Sequence, residues 1–444
     1  MSWRAPWLRE RLLLLSLALW DLVVVCAMYG FIYRLRLGQA PGVTLALVVL
    51  LLLWLGGSYL LGRYTHRRRG WVSWQRTAQL ALLVLAVFVA QAWLAGIADS
   101  GTRLRSFLLP LLSTIAVGSG LGHQALAAVR PEREAVVLLC TAAERPIVKA
   151  ELVALPARTQ QQITFVEEDE DPEVLAELPR QGLNVAISDQ ARIPEAHLER
   201  FITLRPLGAR VSSLVDWAER SLQRVPPELL SERWLLAADG FSLQPGRWSW
   251  RVKRFFDVLG AISLLLITSP LVLMAGLAIW LEDRGPILYS QIRSGLYGDP
   301  VRIWKLRSMR VDAEASGLQW AQKQDPRITR CGAWLRRLRI DELPQLWAVL
   351  RGDLSLIGPR PERPELELEL EQAIPHYRVR HWIRPGLSGW AQVNYPYGNS
   401  VADSRIKLSY DLYYLRNAGI LLDLLILVKT IRLVLRAQGA QPQQ

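Results

Sequence analysis

Residues 255–281 read FFDVLGAISLLLITSPLVLMAGLAIWL, and how this stretch meets a membrane decides what the rest of the chain can be. It is long enough to cross a hydrocarbon core of about 30 Å as a helix. At its centre stands Ser269-Pro270, where proline removes one backbone hydrogen bond and crowds the preceding turn. Arg251, Lys253 and Arg254 precede the stretch, and Arg284 and Arg293 follow it. Basic residues stay on the cytoplasmic side, so basic flanks at both ends put both ends on one face. A straight crossing would export the charged remainder. A re-entrant, helix-break-helix hairpin over about 255–281, broken at Ser269-Pro270, keeps that remainder inside. A proline-kinked ordinary crossing is the alternative.

Upstream, four apolar segments open the chain: 12–32, 43–61, 78–97 and 107–129. Each is long enough to span, so residues 1–130 are expected to form four transmembrane helices. Arg4, Arg9 and Arg11 precede the first segment, and Arg63, His66, Arg67, Arg68, Arg69 and Arg76 fill the second loop. The first and third loops carry only two arginines each, which places the N-terminus, the second loop and everything after the fourth span in the cytoplasm. Asp21 and His123, polar residues within these segments, read as helix-packing contacts or span ends before they read as marks of a transport path. The first segment has no small-residue cleavage site and leads into further spans, so no cleavable signal is expected. The chain carries a net charge of +13 and 18 tryptophans but no nucleic-acid module. Its partner is therefore expected to be a lipid bilayer, whose interface favours indoles, and not nucleic acid. Three cysteines without metal-ligand spacing argue against a disulfide framework.

Residues 131–245 change to soluble α/β character. Strands are expected at 135–140, 162–166 and 184–188, helices at 147–155 and 174–178, and a further helix and connector from Asp216, broken at Pro226-Pro227. The alternation resembles a small Rossmann-like domain. The turn Thr141-Ala142-Ala143-Glu144-Arg145-Pro146 has no glycine, so a pyrophosphate could not approach the backbone, and dinucleotide binding is not expected. A structural or regulatory role is left for this domain, and a homodimer through its surface stays open.

Residues 246–440 are dense in short polar motifs. The centre is Leu338-Arg339-Ile340-Asp341-Glu342-Leu343-Pro344-Gln345-Leu346. Proline is tolerated in a first helical turn, so Asp341 is expected near an N-cap. Two adjacent acids repel unless a cation or basic neighbours compensate, and Arg336, Arg337 and Arg339 lie just upstream. Taken alone, the pair reads most simply as a cap and a dipole partner. Around it stand Gln291-Ile292-Arg293-Ser294-Gly295, Lys305-Leu306-Arg307-Ser308-Met309 and Asp325-Pro326-Arg327-Ile328-Thr329. Further on come Gly358-Pro359-Arg360-Pro361, Arg384-Pro385-Gly386-Leu387-Ser388-Gly389-Trp390 and Lys407-Leu408-Ser409-Tyr410-Asp411.

This run, from about Arg251 to Arg436, resembles the catalytic domain of the bacterial sugar transferases, the monotopic phosphoglycosyl transferases. The four preceding spans and degenerate α/β unit are similar to its large, WbaP-like members. The resemblance implies three parts: an N-terminal membrane α-helical bundle, a Rossmann-like α/β middle domain and a mostly α-helical monotopic catalytic domain with a re-entrant helix. It implies transfer of a sugar 1-phosphate, hexose slightly favoured, from a UDP-sugar to polyprenyl (undecaprenyl) phosphate with release of UMP. Asp341 would be the nucleophile and Glu342 its partner, with Mg²⁺ held at the pair; the enzyme would begin O-antigen, exopolysaccharide or capsule assembly at the bacterial inner membrane. Pro359-Arg360-Pro361 matches a motif associated with the nucleotide. Lys305, Arg307, Arg327 and Arg384 are further candidates for binding substrate phosphates, because a guanidinium fork grips oxyanions bidentately; each alone reads equally well as a surface or membrane-facing cation. Ser269-Pro270 matches the family's helix break. Arg339 and Ile340 replace the usual serine and leucine before the pair. The competing functions are a lipid-acceptor glycosyltransferase releasing UDP and a non-catalytic scaffold.

Overall fold

The computed structural model describes residues 12–38, 44–61, 107–128, 135–153, 162–166, 183–192, 195–206, 209–237, 246–313, 325–395 and 400–435, with a few isolated positions besides. The chain divides into two compact units, Ala5–Glu132 and Arg133–Gln444.

In the first unit, α1 (Leu12–Leu37), α2 (Leu45–Leu61) and α3 (Leu109–Ala128) fall on the first, second and fourth apolar segments. The segment 78–97 lies outside the described residues apart from Val84. The helices are apolar nearly all round, which suits a lipid solvent, and α1 is long and apolar enough to cross a membrane. Val25, Trp54 and Ile115 pack their shared core. Asp21 is fully buried there. Its carboxylate accepts from Tyr64 Oη at 2.9 Å and Ser119 Oγ at 2.5 Å, and meets His123 Nε2 at 3.0 Å and Arg63 Nη1 at 3.7 Å. Asp21 and His123 thus join helices through one satisfied polar contact.

The second unit opens with β1 (Ala135–Leu139), α4 (Glu144–Val153), β2 (Gln162–Val166), β3 (Leu183–Ile187), α5 (Glu195–Leu204), β4 (Arg210–Ser213) and α6 (Leu214–Leu222). The strands form one parallel sheet in the order β2-β1-β3-β4. Val136 to Leu139 are all buried, the continuous apolar run of a strand covered on both faces. The parallel sheet goes no further toward a Rossmann-like unit than these strands. The helix expected from Ile147 starts at Glu144 because Glu144 Oε2 accepts from Thr141 N (2.9 Å) while Thr141 Oγ1 accepts from Glu144 N (3.3 Å). That reciprocal cap makes glycine unnecessary in the turn. α5 and β4 were not expected, and the helix expected at 174–178 lies outside the described residues. Beyond α7 (Glu232–Ala237), the chain enters the segment that holds the site.

α8 (Trp248–Asp283) is helical through all 36 residues, Pro270 included. The break expected at Ser269-Pro270 is therefore not a break in helical backbone. Pro270 has no N–H to give Leu266 O, and Ser269 Oγ donates to that same carbonyl at 3.0 Å. α8 is long and apolar enough to cross a membrane, and Leu266, Ile267 and Leu273 are more than 70% exposed around the proline. Its two arms nonetheless pack on the same body. Ala261 joins Leu346, Val349 and Leu354, whereas Ala275 and Ile279 join Leu306, Leu335 and Ile340; Leu343 touches both groups.

β5 (Leu288–Ser294) and β6 (Pro300–Leu306) form an antiparallel hairpin, followed by α9 (Arg330–Arg337). A 3₁₀ turn, Ile340–Gln345, feeds α10 (Leu346–Arg351). β7 (Ser355–Ile357) leads to α11 (Pro364–Ala373), and β8 (Gly386–Ser388) returns parallel to β7. α12 (Trp390–Asn394), α13 (Val401–Asn417) and α14 (Ile420–Leu435) complete a segment that is mostly helical. α13 also receives the α/β part: Val225 N donates to Ser409 O at 2.8 Å, and Arg416 pairs with Asp216 at 2.9 Å and Glu219 at 2.8 Å.

Candidate active site

Asp341 and Glu342 lie inside the first turn of the 3₁₀ segment, whose N-cap is Arg339; Asp341 is not itself the cap. Arg339 adopts a left-handed backbone (φ 56°, ψ 24°), a conformation uncommon outside glycine and enriched where function holds strain. This bend turns the chain back so that Arg339 Nη1 reaches Glu342 Oε2 at 3.4 Å. Arg360 Nη2 donates to Glu342 Oε1 at 2.7 Å, and Lys305 Nζ stands 3.5 Å from the same oxygen.

The hairpin explains Lys305. Successive strand residues alternate faces, so Lys305 shares a face with Ile303 and, across the ladder, with Tyr289, Gln291 and Arg293. Gln291 Oε1 accepts from Arg293 Nε at 2.9 Å and so orients that guanidinium. Arg293, Ile303, Lys305, Gln345, Arg360, Pro361, Gly386 and Leu387 line a pocket beside the acidic pair.

The two carboxyls are driven apart. Burial alone would raise Glu342, but Arg360, Lys305 and Arg339 together hold it well below the usual carboxylate range. Asp341, only 9% exposed, has no hydrogen bond or ion pair among the described residues, and burial and the Glu342 charge raise its pKa. Lys305 is brought down to about 8 by burial, which Glu342 offsets only in part. Burial likewise brings Arg293 down to about 10. One ionised carboxylate, one unengaged carboxyl and several close cations make a site suited to an anionic substrate.

Of the residues expected from the sequence, the structure gathers Asp341, Glu342, Lys305, Arg360 and Pro361. Pro359 contributes its carbonyl, which accepts from Gly386 N at 2.8 Å. The other cations are engaged elsewhere. Arg307 grips both Asp283 oxygens and donates to Pro286 O at 2.6 Å. Arg327 forks onto Asp325 at 2.8 and 2.6 Å, and Arg384 lies 4.6 Å over the Trp250 ring. Sequence reasoning missed Arg293 and Gln345 as parts of the site, whereas of the arginines expected to compensate the pair the structure brings Arg339 to Glu342. Two signals could have found the missed residues: Arg293 alternates with Gln291 in a strand-like motif, and Gln345 follows Asp341 by one helical turn.

The profile of bacterial sugar transferases matches residues 248–437. A UDP-N-acetylgalactosamine-undecaprenyl-phosphate N-acetylgalactosaminephosphotransferase of Aeromonas hydrophila is 46% identical over 190 residues, 43% of this chain and 45% of that protein. An undecaprenyl-phosphate glucose phosphotransferase of Komagataeibacter xylinus is 37% identical over 262 residues, 54% of this chain and 49% of that protein. The chain thus spans about half the length of these two relatives. An exopolysaccharide production protein of Rhizobium leguminosarum is 40% identical over 186 residues, 40% of this chain and 93% of that protein.

Proposed function

Because the chain belongs to the bacterial sugar transferase family, we propose that it moves a sugar 1-phosphate from a UDP-sugar to polyprenyl phosphate and releases UMP. The observation that carries this is the split pair: Asp341 unengaged beside Glu342 held by three cations. Arg360, Lys305 and Arg293 bind the diphosphate, bidentately where a guanidinium can. The Asp341 carboxylate attacks the sugar-bearing phosphorus, the bond from that phosphorus to the bridging oxygen breaks, and UMP leaves with the bond electrons. An oxygen of polyprenyl phosphate then attacks the same phosphorus, restoring the Asp341 carboxylate and yielding the diphosphate-linked lipid sugar.

The donor set fits Mg²⁺, which takes one or two carboxylates and completes its shell with water and substrate phosphate oxygens. Asp341 and Glu342 would hold it, and when bound it would neutralise diphosphate charge and favour ionised Asp341.

The acceptor is a lipid, and the exposed apolar surface of α8 supports a seat in the bilayer. Packing of both α8 arms on one body, together with basic residues at both ends, supports a re-entrant topology with the site on the cytoplasmic face of the inner membrane. The names of the relatives cover glucose and N-acetylgalactosamine, and one names exopolysaccharide production, which supports a first membrane step of surface polysaccharide assembly.

The test uses the full chain in lipid nanodiscs with polyprenyl phosphate, Mg²⁺ and a panel of UDP-hexoses and UDP-N-acetylhexosamines. UMP is the expected nucleotide product, and UDP would overturn the mechanism. Asp341→Asn should abolish UMP release while still binding UDP; a fully active variant would remove Asp341 from the nucleophile's place.

A further inference from the structure

The strap that carries Arg360 is tied down through four successive carbonyls. Gly386 N donates to Pro359 O at 2.8 Å and Ser294 N to Glu362 O at 3.0 Å. Between them, Arg380 Nη2 donates to Arg360 O at 2.9 Å and Arg293 Nη1 to Pro361 O at 3.3 Å. Residues 359–363 belong to no helix or strand, and prolines 359 and 361 offer no N–H of their own. The direction in which Arg360 leaves its backbone is therefore set from outside.

Arg380 is the unusual member of this set. It sits in the 3₁₀ turn Tyr377–Trp382, is 5% exposed, and is not among the residues lining the pocket. The same Nη2 that holds Arg360 O also donates to Asp411 Oδ2 on α13 at 3.0 Å. Nη1 donates to Tyr377 Oη at 2.5 Å, and the guanidinium lies 5.1 Å over the Tyr377 ring. Asp411 is 1% exposed and Tyr377 2%. A buried ion pair often stabilises no better than apolar side chains of similar volume, because desolvation offsets its attraction. What an apolar substitute could not supply here is a fixed donor to the Arg360 carbonyl.

We propose that Arg380, oriented by Asp411 and Tyr377, is a positioning residue that sets the reach of Arg360 toward the nucleotide diphosphate and Glu342. This rests on the reading of Arg360 as a phosphate clamp. Lysine at 380 keeps the charge opposite Asp411 but, lacking the planar fork, cannot hold Asp411, Tyr377 and the Arg360 carbonyl together.

The experiment is a double-mutant cycle in the full chain, with Arg380→Lys, Arg360→Ala and the pair. UDP binding by calorimetry and steady-state transfer are both measured in nanodiscs. Arg380→Lys should weaken UDP binding and raise the UDP-sugar KM by roughly tenfold, the scale of one buried hydrogen bond to a charged group, with the KM for polyprenyl phosphate unchanged. In the Arg360→Ala background the same change should cost less than about twofold, because the group it positions is gone. Losses that multiply in the double variant, or an Arg380→Lys protein with native UDP affinity, would overturn the proposal. If Arg380→Lys does not fold, Tyr377→Phe, which keeps the ring and drops one hydrogen bond, takes its place under the same two criteria, with an expected loss of roughly threefold. The binding arm reads this coupling without turnover. A wild-type enzyme that released no UMP would therefore sink the proposed reaction and still leave the Arg380–Arg360 coupling measured.

Discussion

Lys305 offers the sharpest quantitative test of the site. With its pKa near 8, the ammonium is mostly charged at neutral pH and loses its proton as pH rises through 8, two units sooner than an ordinary lysine. Only the charged form attracts a diphosphate, so UDP affinity should fall above pH 8, by up to about tenfold per unit until the pKa of the complex is reached. Replacing Glu342 by Gln removes the carboxylate oxygen 3.5 Å from Nζ. At an effective dielectric constant of about 20, that pair is worth roughly 5 kcal/mol. Allowing solvent screening to halve it leaves about 2.5 kcal/mol, or nearly two pKa units. In Glu342→Gln the loss of affinity should therefore begin near pH 6. Lys305→Arg, whose guanidinium stays charged, should hold UDP evenly to about pH 10. Calorimetric Kd values across pH 5.5–10 for the three proteins decide the matter. Matching profiles for wild type and Lys305→Arg would refute both the depressed pKa and the contact of Lys305 with phosphate.

Arg307→Ala should unfold at a lower temperature than wild type, because it removes a bridge between Asp283 and the Pro286 carbonyl, and should leave UDP affinity within about twofold of wild type; thermal unfolding and calorimetry separate the two effects. Gly386→Ala should unfold several degrees lower, since a Cβ there would lie 2.1 Å from the Gly358 nitrogen, whereas Gly419→Ala, with nothing within 4 Å, should unfold like wild type. With the three native cysteines replaced, Arg247→Cys and Arg284→Cys should both react with an impermeant maleimide from the cytoplasmic side. Labelling of only one of them would show that α8 crosses the bilayer.

The acidic pair was legible because its chemistry is local. Adjacent carboxylates beside Pro344 and a run of arginines announce themselves within a few residues. The cations were harder. Lys305, Arg307, Arg327, Arg360 and Arg384 look alike in sequence, yet two of the five meet Glu342 and three are engaged with Asp283, Asp325 and Trp250. Nothing in spacing alone separates them, because an ion pair depends on which strands and turns approach in space. Arg360 lies 18 residues from Glu342 and reaches it only because its strap is tied to β8, to β5 and to Arg380.

By itself the sequence determined the apolar helices that the described residues contain, three of the four parallel strands and the placing of Asp341-Glu342 in a first helical turn, since hydrophobic periodicity, β-branched runs and proline act over a few residues. Tertiary structure alone decided three things. It carried α8 as a helix through Pro270, with Ser269 supplying the donor that proline lacks. It put Arg339 in a left-handed conformation that brings it back to Glu342. It also sorted the cations, clamping one carboxylate of the pair and leaving the other unengaged. Each of these rests on contacts whose strength depends on distance and burial in the folded protein, quantities that order along the chain does not contain.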